Sequence, residues 1–375
     1  MSTQASIRDI SAADGNWKSP LHHMTQTTPT ALWNDSAALE ELQYSIEHGA
    51  VGATCNPVIV LDVLKQEMHI WKDRIVELIR SNSTATEDEI AWALVEEISA
   101  TRAALLKGIF DSHKGRNGRL SIQTDPHFYR NPKALLEQAV RFSQLAPNMI
   151  VKLPATTAGV AAIEEVTAQG VSINATVSFS LPQAIAVAEA VERGLEKRER
   201  RGENISSMGP VCTIMVGRLD DWLKTVADKS DIIIDPGYLE WAGVAVFKRA
   251  YQIFRERGYR IRLLAAAYRN HLHWSELIGG DLVLSPPCKW QKRFNQSDVT
   301  VENRIGTPVD PKIVDELLRK FPDFARAYNE DGLAVADFDV FAPTARTLRQ
   351  FLEASQQLSS LIRDFMLPNP DKKLV

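Results

Sequence analysis

Cysteine is scarce. The 375 residues hold only Cys55, Cys212 and Cys288, an odd number at wide spacing. Such a set is neither a disulfide framework nor a zinc motif, and reads as small buried side chains in a reducing compartment. Long apolar runs are missing too: no stretch of about 18 apolar residues occurs, so no membrane span is expected. Neither sign of charge dominates. Against 47 Asp and Glu stand 43 Lys and Arg, a net −4 that offers no basic footprint to nucleic acid or an anionic membrane. The first thirty residues lack a basic start followed by an apolar stretch, so no secretory leader is expected and a cytoplasmic chain is. A Gly-rich phosphate loop, a Walker signature and a dinucleotide fingerprint are absent. What remains is ordinary globular composition, 45% hydrophobic and 24% charged, long enough to bury a large core unaided.

Short apolar segments alternate with amphipathic ones. Candidate strands are Ala31–Asp35, Val51–Cys55, Arg119–Thr124, Met149–Leu153, Val171–Val177, Val211–Val216, Arg262–Ala267 and Asp281–Leu284. Most are Val/Ile/Leu-rich and bounded by Gly, Pro, Asn or Ser, as buried parallel strands should be. Between them lie helical stretches such as Glu87–Leu106, with Thr86 at the N-cap, and Trp241–Arg257, ended by Gly258. Eight strands alternating with helices predict an α/β fold, the (β/α)8 TIM barrel, with right-handed crossovers. Residues 30–300 would form it, with a helical insertion at about 58–110. Residues 1–29 read as a polar, loosely ordered arm, and 301–375 as a C-terminal helical extension that covers the barrel or contacts a partner subunit in a homo-oligomer. The charge run Glu196–Asn204 reads as a solvated helix end.

Chemistry in such a barrel belongs at the C-terminal ends of strands. Lys152 stands inside the apolar strand Met149–Leu153. Desolvation there would disfavour the ammonium and free an amine for Schiff-base formation; a lysine that snorkels to solvent or pairs with a carboxylate is the alternative. On the next strand Ser172, Asn174, Thr176 and Ser178 alternate, so a polar column shares one face. Asp35 ends the first strand and is an acid/base candidate, or else a helix cap for Ser36–Ile46. Gln123 and Asp125 share a face at the third strand's end, and Thr54 and Asn56 alternate before Pro57. Arg218 and Arg269 follow the sixth and seventh strands, where arginine suits bidentate capture of phosphate. His271 and His273 could face one way, but no third metal ligand stands at motif spacing, so a structural reading is preferred.

With these residues in place, the chain resembles the transaldolase family, Schiff-base barrel enzymes, from about Ala31 to Leu284. LWNDSAALEEL, with Asp35, is similar to the family's first strand, and ATCNP to its Thr-x-Asn-Pro signature at Thr54, Asn56 and Pro57. The block VKLPATTAGVAAIEEVTAQGVSINATVSFS resembles the lysine strand, helix and Asn-x-Thr strand. VGRLDDW and AAAYRN resemble the segments with the phosphate-binding arginines. The resemblance implies Lys152, Asp35, Gln123 and Thr176 as catalytic residues. It implies Thr54, Asn56, Asn174, Thr213, Arg218 and Arg269 as substrate contacts. It further implies sugar-phosphate substrates, transfer of a dihydroxyacetone unit and no metal or organic cofactor. Four positions depart from the family pattern. Gln123 stands where the transferases usually have glutamate and the related fructose-6-phosphate aldolases have glutamine. Thr213 and Met215 replace serine and phenylalanine, and Ala267 stands where a serine often helps hold phosphate. Three alternatives follow: an aldolase that releases dihydroxyacetone, a non-catalytic sugar-phosphate-binding barrel, and a metal-dependent aldolase using His271 and His273.

Overall fold

In a computed structural model describing residues 16–371, the eight apolar segments close into one parallel barrel. The strands are β1 (Ala31–Asn34), β2 (Ala50–Cys55), β3 (Arg119–Gln123), β4 (Met149–Pro154), β5 (Ile173–Thr176), β6 (Val211–Ile214), β7 (Arg262–Ala265) and β8 (Val283–Leu284). Each pairs with the next and β8 pairs with β1, which leaves no edge. Every strand residue except Val51 is buried, which is why the strands read as continuous apolar runs rather than alternating ones.

Helices fill the crossovers. After α1 (Pro20–Thr27), α2 (Leu39–Glu47) joins β1 to β2, and α3 (Pro57–Ser81) and α4 (Glu87–Ser112) join β2 to β3. Then α5 (Pro132–Ser143), α6 (Thr157–Ala168) and α7 (Leu181–Arg200) follow β3, β4 and β5. The β6–β7 crossover holds α8 (Val216–Lys229), α9 (Pro236–Leu239) and α10 (Ala242–Arg257), and α11 (Leu272–Ser275) precedes β8. Beyond the barrel run α12 (Cys288–Asn295), α13 (Pro311–Lys320), α14 (Pro322–Tyr328) and α15 (Ala342–Met366). The long α15 packs on α3, α4 and α8 and so reaches the catalytic end of the barrel.

Two local expectations need correction. Part of the segment read as a loose arm is helix α1: Ser19 caps it by accepting from the His22 N–H, Pro20 opens it, and Leu21 and Met24 are fully buried. Residues 1–15 of that segment lie outside the described residues. Asp35, secondly, caps no helix. The helix after β1 starts only at Leu39, because the chain before it is clamped by the insertion. Glu67, at a kink in α3, accepts from the Leu39 N–H (2.6 Å), Trp71 Nε1 (3.2 Å) and Arg102 Nη2 (2.7 Å). Arg102 Nε donates to the Ala37 carbonyl (2.8 Å). This buried ion pair, with Arg102 Nε and both Glu67 oxygens engaged in hydrogen bonds, fixes the loop that carries Asp35.

Candidate active site

The described residues include two buried lysines with contrasting surroundings. Lys248, on α10, donates to Glu276 (2.8 Å) and to the carbonyls of Arg304 (3.0 Å) and Thr307 (2.7 Å), and is a structural cross-link. Lys152, on β4, forms no ion pair or side-chain hydrogen bond among the described residues, although it is only 5% exposed. Burial lowers its pKa from the usual lysine value, Arg218 lowers it further, and the carboxylate of Asp35 partly opposes both. A desolvated amine without a partner is a poor structural device and a good nucleophile.

Strand register builds the surroundings of Lys152. Gln123 on β3 and Asn174 on β5 are its direct partners in the sheet. Asn174 is gripped from both sides: its Nδ2 donates to Ser121 Oγ (3.0 Å) and its Oδ1 accepts from Thr213 Oγ1 (2.7 Å). The polar column of β5 is satisfied at its lower end, where Ser172 accepts from the Gly209 N–H. At its upper end, Thr176 Oγ1 and Ser178 Oγ have no hydrogen-bond partner among the described residues, and neither has Gln123 Oε1. Buried orphans of this kind are costly unless a polar molecule completes them. Val177, between Thr176 and Ser178, is held at φ 55°, a left-handed conformation disfavoured for a β-branched residue. Such strain collects at functional sites.

Asp35 enters from the end of β1. Desolvation raises its carboxyl pKa, while Lys152 and Arg218 pull it back down. Tyr268, which is not among the site residues expected from the sequence, is fully enclosed nearby; burial and the Asp35 charge keep its phenol protonated well above its usual value. Thr54 is buried on β2, in register with Ser121, and Asn56 lies two residues on. Asn56 Oδ1 caps α3 by accepting from the Ile59 N–H (2.9 Å), which leaves its amide nitrogen for other work.

A small cavity lined by three arginines opens near Asp35 and Lys152. Arg218 sits in the first turn of α8, not on a strand, and shares a small cavity of about 100 Å³ with Arg269, Asp221, Thr347 and Arg346. Arginine near a helix N-terminus opposes the dipole, an arrangement that an anion would relieve. Burial, with help from Arg269, pushes the Arg218 guanidinium down to about 10, still cationic at neutral pH. Its Nη1 donates to Gln350 and Thr347 of α15, and Arg269 pairs with Asp221 (2.8 Å). Arg346, the third cation, comes from α15 and donates to Thr225 Oγ1. No local motif around Arg346 signals this; only the path of α15 across the barrel brings it here.

Arg269 is positioned from behind. Its backbone N–H donates to His273 Nδ1 (3.1 Å), and His273 Nε2 donates to Asp220 Oδ2 (2.8 Å). Asp220 Oδ1 in turn accepts from the Gly243 N–H at the start of α10 (2.8 Å). His273 is thus a fully buried structural link. Among the described residues no group of three or more His, Cys, Asp or Glu is placed to hold a metal ion. Gly217 is required by the same packing: a Cβ there would lie 2.0 Å from the Ala267 carbonyl oxygen and 2.6 Å from Arg269 Cγ. Asp125, also an acid/base candidate by its position at the end of the third strand, is engaged locally. It caps a 3₁₀ turn, accepting from the His127 N–H and pairing with the His127 ring. The three cysteines are buried and unpaired, and burial pushes the thiols of Cys55 and Cys212 up to about 11 and 12.

A family model described as Transaldolase/Fructose-6-phosphate aldolase matches residues 32–361. The chain is 34% identical over 360 residues to a protein of Streptomyces avermitilis named transaldolase 2, covering 87% of this chain and 95% of that one. It is 33% identical over 224 residues to transaldolase 1 of Streptomyces coelicolor, covering 59% and 58%. Over 208 residues it is 32% identical to a transaldolase of Mycobacterium tuberculosis, covering 55% of each chain.

Proposed function

The chain belongs to the transaldolase/fructose-6-phosphate aldolase family, and we infer that it moves a dihydroxyacetone unit between sugar phosphates through a Schiff base on Lys152. The observation that carries this reading is the partnerless, desolvated amine of Lys152 beside the Asp35 carboxylate. In the proposed route Lys152 Nζ attacks the C2 ketone of a ketose phosphate, and the carbinolamine loses water to give a protonated imine. Gln123 and Thr176, whose side-chain oxygens have no hydrogen-bond partner among the described residues, would hold the water through which that proton moves. Asp35 takes the C4 hydroxyl proton, the C3–C4 bond breaks, and its electrons flow into the imine. An aldose phosphate leaves and the three-carbon enamine stays on Lys152, its hydroxyls held by Asn174 and Asn56, with Thr54 and Thr213 supporting. Addition of the enamine to a second aldose phosphate, followed by hydrolysis, completes the transfer. The route draws on no metal or organic cofactor. Among the described residues no helix is long and apolar enough to cross a membrane, and a cytoplasmic site of action is part of this proposal. Reductive trapping tests it: borohydride plus a ketose phosphate should add mass to the tryptic peptide holding Lys152. An adduct elsewhere, or none, would overturn the assignment.

The phosphate would sit between Arg218 and Arg269, with Arg346 closing the cavity. Arg269→Ala is therefore expected to weaken phosphorylated substrates about 10- to 100-fold in kcat/KM while barely changing unphosphorylated analogues. Equal losses on both would make the arginine structural.

Gln123 bears on whether the enamine is transferred or hydrolysed. An amide can orient the shared water but cannot store a proton or place negative charge beside the imine, as a carboxylate would. Wild type is expected to release more free dihydroxyacetone than glutamate-bearing relatives, and Gln123→Glu to shift the ratio toward transfer. Dihydroxyacetone and acceptor product, measured at matched substrate, give that ratio. If it stays unchanged with both forms active, Gln123 does not set the partition.

A further inference from the structure

A second cavity, of about 580 Å³, opens on the outside of the barrel between α10, the 303–309 loop and Tyr328 of α14. The part of α10 that lines it, Ala245 to Glu256, runs away from the catalytic end, where Gly243 meets Asp220. Gly279, just before β8, lies at its far side. No residue that lines it takes part in the site around Lys152.

Lys248 fixes the wall by gripping the carbonyls of Arg304 and Thr307, and its own charge is matched by Glu276. Arg249, one residue on, is different. Its guanidinium stacks 4.8 Å over the Tyr328 ring, yet it forms no ion pair among the described residues, and its buried Nε has no hydrogen-bond partner. Arg255 adds a second cation and, among the described residues, donates only to the Tyr251 hydroxyl (3.3 Å). The single lining carboxylate, Glu256, is engaged by Gln252 (2.7 Å). Opposite these charges stand Ile305, Pro308, Val309 and Val314. A cationic pole on one side and an apolar wall on the other select for a matching guest.

We propose that this cavity binds a small organic anion, its carboxylate or phosphate head on Arg249 and its apolar body against Ile305, Val309 and Val314. A bidentate head would reach the Nη groups of Arg249, and the Tyr328 ring beneath keeps the guanidinium plane in place. Inorganic anions would gain the head contact alone and neutral aromatics the wall alone, so each should bind more weakly than the two combined.

The test is equilibrium dialysis of the full chain with 1-naphthoate, 1-naphthyl phosphate, 1-naphthol and inorganic phosphate. One or both naphthyl anions should saturate at one site that survives Arg269→Ala, and whichever is tighter identifies the preferred head. Arg249→Gln should weaken that binding about 10-fold or more, and 1-naphthol should bind at least 10-fold more weakly than the anion. Thr307→Glu, an exposed change on the loop wall, should weaken it in the same direction without touching Arg249. Turnover should be unchanged in both variants. No saturable binding at millimolar naphthyl anion, loss of the site with Arg269→Ala, or indifference to both Arg249→Gln and Thr307→Glu would overturn the proposal.

Discussion

Lys152→Ala is expected to lower kcat at least about ten-thousand-fold and to abolish the borohydride-trapped adduct, with the fold intact by circular dichroism. The magnitude follows from what the amine does. A covalent nucleophile divides one difficult step into two easier ones, and without it neither imine nor enamine exists to accept the electrons of the C3–C4 bond. Burial supports the role by enlarging the neutral fraction of the amine near pH 7. The fold should tolerate the loss, because Lys152 cross-links nothing, whereas removing Lys248 would break its contacts to Glu276 and two loop carbonyls. A Lys152→Ala variant retaining more than about one percent of turnover would remove Lys152 as the nucleophile.

What made Lys152 visible in the sequence was its position inside an apolar strand, and the same local signals exposed the barrel. Short runs such as Ile122 and Val151 with their neighbours are buried on both faces, so hydrophobicity marks them without periodicity. The strand ends were less legible. The segment expected over Val171–Val177 is ordered as strand only from Ile173 to Thr176, because Val177 turns into the left-handed region. Ala267 does the same beyond β7. Both positions lie at the mouth, where backbone geometry follows the site rather than residue propensity.

Non-local contacts account for the other differences. Asp35 looks like a helix cap because Ser36, Ala37 and Ala38 permit a helix, and Arg102 and Glu67, far along the chain, help Asn34 and Ser36 to hold them out of one. Arg346 lies in an ordinary amphipathic helix, and its place beside Arg218 and Arg269 depends on α15 crossing to α8. Helix α1 did leave a local mark, Ser19 before Pro20, which is a cap followed by a favoured first residue.

Asp35→Asn should separate imine formation from bond cleavage. Asparagine cannot take the C4 hydroxyl proton, so turnover should fall between about one-hundred- and ten-thousand-fold. Lys152 would still be present and would still be trapped by borohydride. Its titration should move in a defined direction. In wild type the Asp35 carboxylate favours the ammonium and so opposes the lowering by burial and by Arg218. Take that carboxylate away, and the largest influence opposing the lowering by burial and by Arg218 is gone. The acid limb of the trapping rate, which tracks loss of the lysine proton, should therefore shift to lower pH. Trapping rate and turnover measured from acid to alkaline pH on both forms decide the matter. A limb that stays put or moves upward would show that Asp35 does not act on Lys152, and equal losses in trapping and turnover would deny it a separate role in cleaving the C3–C4 bond.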